Sequence, residues 1–190
     1  MTTHALTICV DIDGTLTQPY AWLEYTAEIY NKTITSEMYQ TCYTAKALGI
    51  ESTEYTNFYL ANGKTFYYDL CTIRPYANHV MNIFDQKHRL HIVTSREKQF
   101  ADITQQLLTD QQIPGTLHVL ESFDKVTPAK KLGCQLFIED NLEIASSLAE
   151  AGFPVLLMDC AYNRKPLHQL IRRVSDWEEI ESIVLSMSHE

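Results

Sequence analysis

The sequence predicts an α/β fold, a doubly wound parallel sheet of five strands with a small, mainly helical segment inserted after the first strand. Two observations point to the sheet. Five short apolar runs, rich in β-branched and large aliphatic residues, recur along the chain. Amphipathic helical patterns lie between the later ones. A third observation sets the insertion: between residues 18 and 72 the alternation stops and aromatic residues crowd in.

The first run is "LTICVD" (6–11), followed after the insertion by "RLHIVT" (89–94), "TLHVL" (116–120), "QLFIED" (135–140) and "PVLLMD" (154–159). Apolar residues spaced by three and four mark helices over 76–87, 97–111 and 141–151. "TPAKKLG" reads as a short helix, and "SDWEEIESIVLSM" as the last one, opened by Ser175 or Asp176 with Glu178 and Glu179 in its first turn. Strands alternating with helices imply right-handed crossovers and a sheet covered on both faces. The insertion reads as helices near 20–31, 36–48 and 51–61, then "NGKTFYYDL", a turn leading into a short extended piece. The expected organisation is a core of residues 1–17 and 73–190 with a helical cap over 18–72.

Charge narrows the function. The chain has 190 residues, with 15 basic against 24 acidic side chains and a net charge of −9. A nucleic-acid polymer or an anionic membrane would need a basic face. A small anionic substrate is still compatible, because a local metal or lysine overrides the global field. The five cysteines are odd in number and form no C-x-x-C, which argues for buried free thiols over a zinc knuckle or redox pair. "MTTHALTICVD" lacks a basic leader and a long apolar stretch, so a soluble, cytoplasmic protein is expected.

The chemistry starts at "DIDGT". Side chains two apart in an extended segment face the same way, so Asp11 and Asp13 are expected to converge beyond the end of the first strand. Ligands of open parallel sheets bind there. Gly14 permits a sharp turn, and Thr15 can fix the carboxylates by hydrogen bonding. A hard divalent cation, most simply Mg2+, would neutralise the pair through oxygen ligands and hold a phosphate opposite.

"CVDIDGTL" resembles the first motif of the haloacid-dehalogenase-like (HAD) phosphohydrolases, and three later segments resemble the family's other motifs in order. "LHIVTSR" supplies Thr94, with Ser95 next to it. "SFDKVTPAKKLG" offers Lys125, Lys130 and Lys131, of which Lys125 fits best because it follows a strand and opens the short helix. "LFIEDN" supplies Glu139 and Asp140. The resemblance implies a Rossmann-like sheet of order 5-4-1-2-3, which brings the fourth strand, and Asp140, beside the first. It also implies the roles. Asp11 is the nucleophile that becomes an aspartyl-phosphate. Asp13 protonates the leaving oxygen and then activates water, and its backbone carbonyl joins the metal. Thr94 and Ser95 receive the phosphoryl group, and Lys125 with Mg2+ compensates charge. Asp140 ligates the metal directly, and Glu139 acts through water or orients the shell.

The second half resembles a narrower group. "LFIEDNLEIASSLAEAGFPVLLMDCAYNR" and "RRVSDWEEI" are similar to the bacterial 5′-nucleotidase and 5′(3′)-deoxyribonucleotidase-type branch, which implies a (deoxy)nucleoside monophosphate as substrate. The likeness does not extend residue by residue into 18–72. There Trp22 and Tyr20 stand open between two readings, stacking a base or filling a small helical core. Two alternatives to the nucleotidase reading also stand, a HAD phosphatase for a sugar phosphate and a non-catalytic binding relative. A receiver-type signalling domain fits poorly, since its phosphoaccepting aspartate ends a middle strand. Arg164, Arg172, Arg173 and Trp177 read as packing and salt-bridging residues of the C-terminal part.

Overall fold

The computed structural model describes residues 5–187; the outermost residues of the expected core, 1–4 and 188–190, lie outside the described residues. Six parallel strands form one sheet in the order β3-β2-β1-β4-β5-β6. They are β1 (Thr7–Val10), β2 (Arg89–Thr94), β3 (Thr116–Val119), β4 (Leu136–Glu139), β5 (Val155–Met158) and β6 (Ile171–Val174). The sixth strand corrects the expected five. Only its end residues, Ile171 and Val174, are buried, with Arg172 exposed and Arg173 half-buried between them, so this edge strand lacks a continuous apolar run.

Every residue of β1, β4 and β5 is buried, and alternate side chains feed two cores. Ile8, Val10, Ile138 and Met158 meet α4 (Ala77–Asp85) and α8 (Trp177–Met187) on one face. Cys9, Phe137, Val155 and Leu157 meet α6 (Val126–Leu132) and α7 (Leu142–Glu150) on the other. Side-chain oxygens open two of these helices. Asp124 accepts from the amides of Val126 (3.0 Å) and Thr127 (3.2 Å), and Asn141 from those of Glu143 (2.9 Å) and Ile144 (3.3 Å). Between β2 and β3 runs α5 (Ala101–Asp110).

The segment between β1 and α4 carries α1 (Ala21–Ile29), a 3-10 turn (Ser36–Gln40), α2 (Thr44–Leu48), α3 (Ser52–Ala61) and a π-helical turn (Thr65–Asp69). The helix expected over 36–48 is therefore two short pieces, broken around Thr41–Tyr43. The stretch expected to extend after residue 62 is helical instead, because winding it as a π turn buries Phe66 and Tyr67 together. Phe66 meets the edges of Trp22, Tyr25 and Phe58, and Tyr67 packs on Phe100. Gly63 makes this possible, since a Cβ there would lie 2.0 Å from the Phe100 ring. A narrow neck joins the segment to the sheet. Thr17 and Ile73 form an isolated antiparallel bridge, flanked by hydrogen bonds from Gln18 N to Thr72 O (2.7 Å) and Arg74 N to Leu16 O (2.8 Å). Four cysteines are buried as expected, whereas Cys42 is exposed. Among the described residues no helix is long and apolar enough to cross a membrane.

Candidate active site

The chain leaves β1 at Val10 and turns at once. The carbonyl of Ile12 accepts hydrogen bonds from the amides of Thr15, Leu16 and Thr17 at 3.3, 3.0 and 2.9 Å. Gly14, at φ +89°, allows the turn, and a Cβ there would strike Asp140 Oδ2 at 2.4 Å. Trp177, wholly buried, holds the turn from outside by donating its indole N–H to Thr15 O (3.1 Å). Because β4 pairs with β1, Glu139 and Asp140 emerge beside Asp11, whose amide donates to Ile138 O (3.0 Å).

One ligand oxygen each of Asp11, Glu139 and Asp140 lies within 4.8 Å of the others, and all three residues are buried. Lys125, the residue before α6 and only 1% exposed, donates to Asp11 and to Glu139 Oε2, the latter at 2.8 Å. Lys130 and Lys131 face solvent, so Lys125 is the lysine the fold delivers to this cluster. Glu139 Oε1 accepts from the amides of Asp140 and Asn141, both at 3.1 Å. Asp140 accepts from Thr15 Oγ1 (3.0 Å) and from the Tyr162 hydroxyl.

Burial dominates the electrostatics. It pushes Asp11 up to about 7 against the pull of Lys125, with Glu139 and Asp13 adding repulsion. Asp140 also rises well above the ordinary carboxylate range, through burial and the charges of Glu139 and Asp11. Lys125 shifts the other way. Burial alone would lower it, but Asp11 and Glu139 hold it charged, above the ordinary lysine range. Three buried carboxylates against one ammonium are an electron-rich set of hard oxygen donors. Such a set fits a divalent cation of the Mg2+ type, which Asp11, Glu139 and Asp140 could hold.

Asp13 departs from expectation. Its carboxylate does not join the cluster of Asp11; both its oxygens are taken by Arg96, Oδ2 by Nε at 2.9 Å and Oδ1 by Nη2 at 2.7 Å. A buried guanidinium outcompetes convergence with a like charge. Arg96 stands two residues after Thr94 in "VTSR", the one signal that could have found it. Thr94 is fully buried at the end of β2 and its hydroxyl accepts from the Arg96 amide (3.3 Å). Ser95 Oγ is buried on the pocket wall with no hydrogen-bond partner within the protein.

These groups form the floor of a cavity of about 750 Å3. Its wall comes from the inserted segment and includes both Tyr20 and Trp22. The two rings are also packed. Trp22 donates its indole N–H to Phe66 O (3.1 Å) and stacks at 6.3 Å on Tyr59; the Tyr20 hydroxyl accepts from Ala161 N (2.7 Å). Each therefore packs into the local core and also faces the cavity. Glu97, unremarked in the sequence, accepts from the hydroxyls of Tyr59 and Tyr67, each at 2.5 Å. Arg164 pairs with Asp159 (2.7 Å), Arg172 with Glu179 (3.3 Å) and Arg173 with Asp159 (3.2 Å), as structural ion pairs.

A parallel sheet that gathers an aspartate, a lysine and an acidic pair at the carboxyl ends of β1 and β4 defines a HAD-like hydrolase of phosphate esters. Solved structures share the fold. A HAD-superfamily hydrolase of subfamily IA from Geobacter sulfurreducens superposes with a TM-score of 0.62 at 13% identity, over 96% of this chain and 97% of that one. YfnB of Bacillus subtilis, crystallised with magnesium, superposes with a TM-score of 0.60 at 17% identity, over 96% and 99%. Within the class the chain belongs to the family described as 5′ nucleotidase, deoxy (pyrimidine), cytosolic type C, whose model matches residues 5–189. A relative named Nucleotidase CA_C3379, from Clostridium acetobutylicum, is 37% identical over 94% of this chain and 93% of its own length.

Proposed function

We propose that this protein is a Mg2+-dependent 5′-nucleotidase that hydrolyses small (deoxy)nucleoside monophosphates through a phosphorylated Asp11. The observation that carries the reading is the meeting of Asp11, Lys125 and Asp140 in one buried cluster on the floor of a cavity wide enough for a nucleotide. In the first step Asp11 attacks phosphorus, the ester P–O bond breaks, and Asp13 gives its proton to the departing oxygen. In the second, water attacks the phosphorus of the acyl phosphate, Asp13 takes a proton from it, and Asp11 is released with inorganic phosphate. Thr94 and Ser95 receive the non-bridging oxygens; the partnerless, buried Ser95 hydroxyl supports this, because such a donor is costly unless a ligand completes it. Lys125 opposes the burial that favours the protonated form of Asp11, and the ion, when bound, supplies charge compensation to the phosphoryl oxygens. The inserted segment serves as a cap, and its aromatic wall, Trp22 and Tyr20 included, favours a planar base, with stacking contributing about 1–3 kcal/mol. The family model and the name of the Clostridium relative support the nucleotide, and magnesium in YfnB supports the ion.

The test is phosphate release from nucleoside monophosphates, deoxynucleotides and sugar phosphates, with Mg2+ and with EDTA. Turnover of nucleotides, abolished by EDTA and by Asp11→Asn, is expected. Trp22→Ala is expected to erase the preference over sugar phosphates. Equal rates on both substrate classes in the unaltered protein would overturn the nucleotide assignment, and full activity of Asp11→Asn would overturn the mechanism.

A further inference from the structure

The geometry points to Arg96 as a positioning residue that aims Asp13 and ties that aim to the inserted helical segment. A guanidinium carries five N–H donors in a rigid fork. All five are committed here. Nε and one Nη2 hydrogen hold the two oxygens of Asp13. The other Nη2 hydrogen goes to Cys71 Sγ at 3.3 Å. Nη1 donates to Tyr67 O and Thr104 Oγ1, both at 3.1 Å. Tyr67 also covers the guanidinium with its ring, 4.7 Å from centroid to Cζ. The side chain is 1% exposed, whereas that of Asp13 is 33% exposed and borders the cavity.

That accounting decides between two roles. An arginine bordering a phosphate-binding cavity would ordinarily be read as a phosphate ligand. Arg96 has no donor left to give, so it acts through Asp13. Its partners come from three places: the loop after β1, helix α5 through Thr104, and the far end of the inserted segment through Tyr67 and Cys71. Any shift of that segment relative to the sheet pulls on the same planar group that fixes the Asp13 carboxylate. Lysine, a point charge without a fork, cannot reproduce the arrangement.

The inference rests on the role proposed for Asp13, and its test separates the two. Proton transfer to the departing oxygen matters for a nucleoside alcohol and hardly at all for p-nitrophenolate, which leaves unaided. Arg96→Lys is therefore expected to lower kcat/KM on a nucleoside monophosphate by about 10²-fold, the scale of general acid catalysis, while p-nitrophenyl phosphate loses less than about threefold. Thr104→Val, which removes one support of the guanidinium and leaves the fork on Asp13, is expected to give the same selectivity at smaller amplitude, and keeps the test alive should Arg96→Lys fail to fold. Equal losses on the two substrates, or no loss on either, would overturn the inference. A crystal structure of Arg96→Lys offers a readout independent of turnover. Displacement of the Asp13 carboxylate is expected, and a carboxylate still in its original place would refute the positioning role. Full activity of Asp11→Asn, by contrast, removes the proposed mechanism and leaves that structural readout untouched.

Discussion

Replacing Lys125 by methionine keeps most of the side-chain volume and deletes the charge. Lys125 is 1% exposed and bonds both Asp11 and Glu139, so the variant leaves two buried carboxylates without their counter-ion. Removing one partner of a buried ion pair costs about 3–5 kcal/mol. For a chain of this length that corresponds to a fall in Tm of about 6–20 °C. The pH dependence has a definite sign. Asp11 already sits near 7 because burial outweighs Lys125, and losing the ammonium drives it higher. A carboxyl whose folded value lies above its unfolded one contributes stability at low pH that is lost as pH rises through the folded value. The deficit of Lys125→Met should therefore be largest near pH 8 and shrink by about pH 5.5, where protonation replaces the missing cation. Urea unfolding in EDTA at the two pH values measures this directly. Lys130→Met and Lys131→Met, at exposed positions, serve as controls and should change stability by no more than about 0.5 kcal/mol. A Lys125→Met deficit below about 1 kcal/mol near pH 8, or one that grows on acidification, would refute the electrostatic account of the cluster.

Two further outcomes follow from the same geometry. Magnesium affinity should fall at least about tenfold per pH unit below about 7, because Asp11, and with it the raised Asp140, must lose a proton to serve as ligand; calorimetry in buffers of different ionisation heat should show proton release, and a flat profile across that range would contradict it. Gly14→Ala should destabilise the protein by about 1–3 kcal/mol and weaken metal binding, since its Cβ would collide with Asp140 Oδ2 and the Tyr162 hydroxyl at 2.4 and 2.8 Å from a φ of +89°; an unaltered urea midpoint would show that the turn relaxes freely.

What could be read in advance follows from where the information lies. β1, β4 and β5 were legible because burial on both faces demands unbroken apolar runs, as in "TICV" and "LFIE". β6 was not, because an edge strand tolerates Arg172 and Arg173 between its buried ends and hides in a charged segment. Asp11, Lys125, Glu139 and Asp140 were legible as types at strand ends, and parallel pairing of β1 with β4 does the rest. Arg96 was not, since an arginine in a loop is ordinarily solvated, and only the closing of Tyr67 and Cys71 over it turns it inward. The winding of 62–70 was equally hidden. Local propensity in "KTFYYD" is ambiguous, and the choice falls to aromatic packing on Trp22 and Phe100.

Arg96 also changes the charge balance of the site. Asp11, Asp13, Glu139 and Asp140 face Lys125 and Arg96, so four carboxylates meet two fixed cations. The remainder is two negative charges, the charge that a single divalent ion cancels. Without the ion, protons take its place, and the upward shifts of Asp11 and Asp140 are the form that compensation takes. Under the proposed function, metal and proton would compete for these carboxylates. The fork of Arg96 holds the Asp13 carboxylate in place beside them. Under the proposed function, an acidic protein would then admit an anionic substrate, because a bound divalent ion would remove the repulsion that excludes a phosphate.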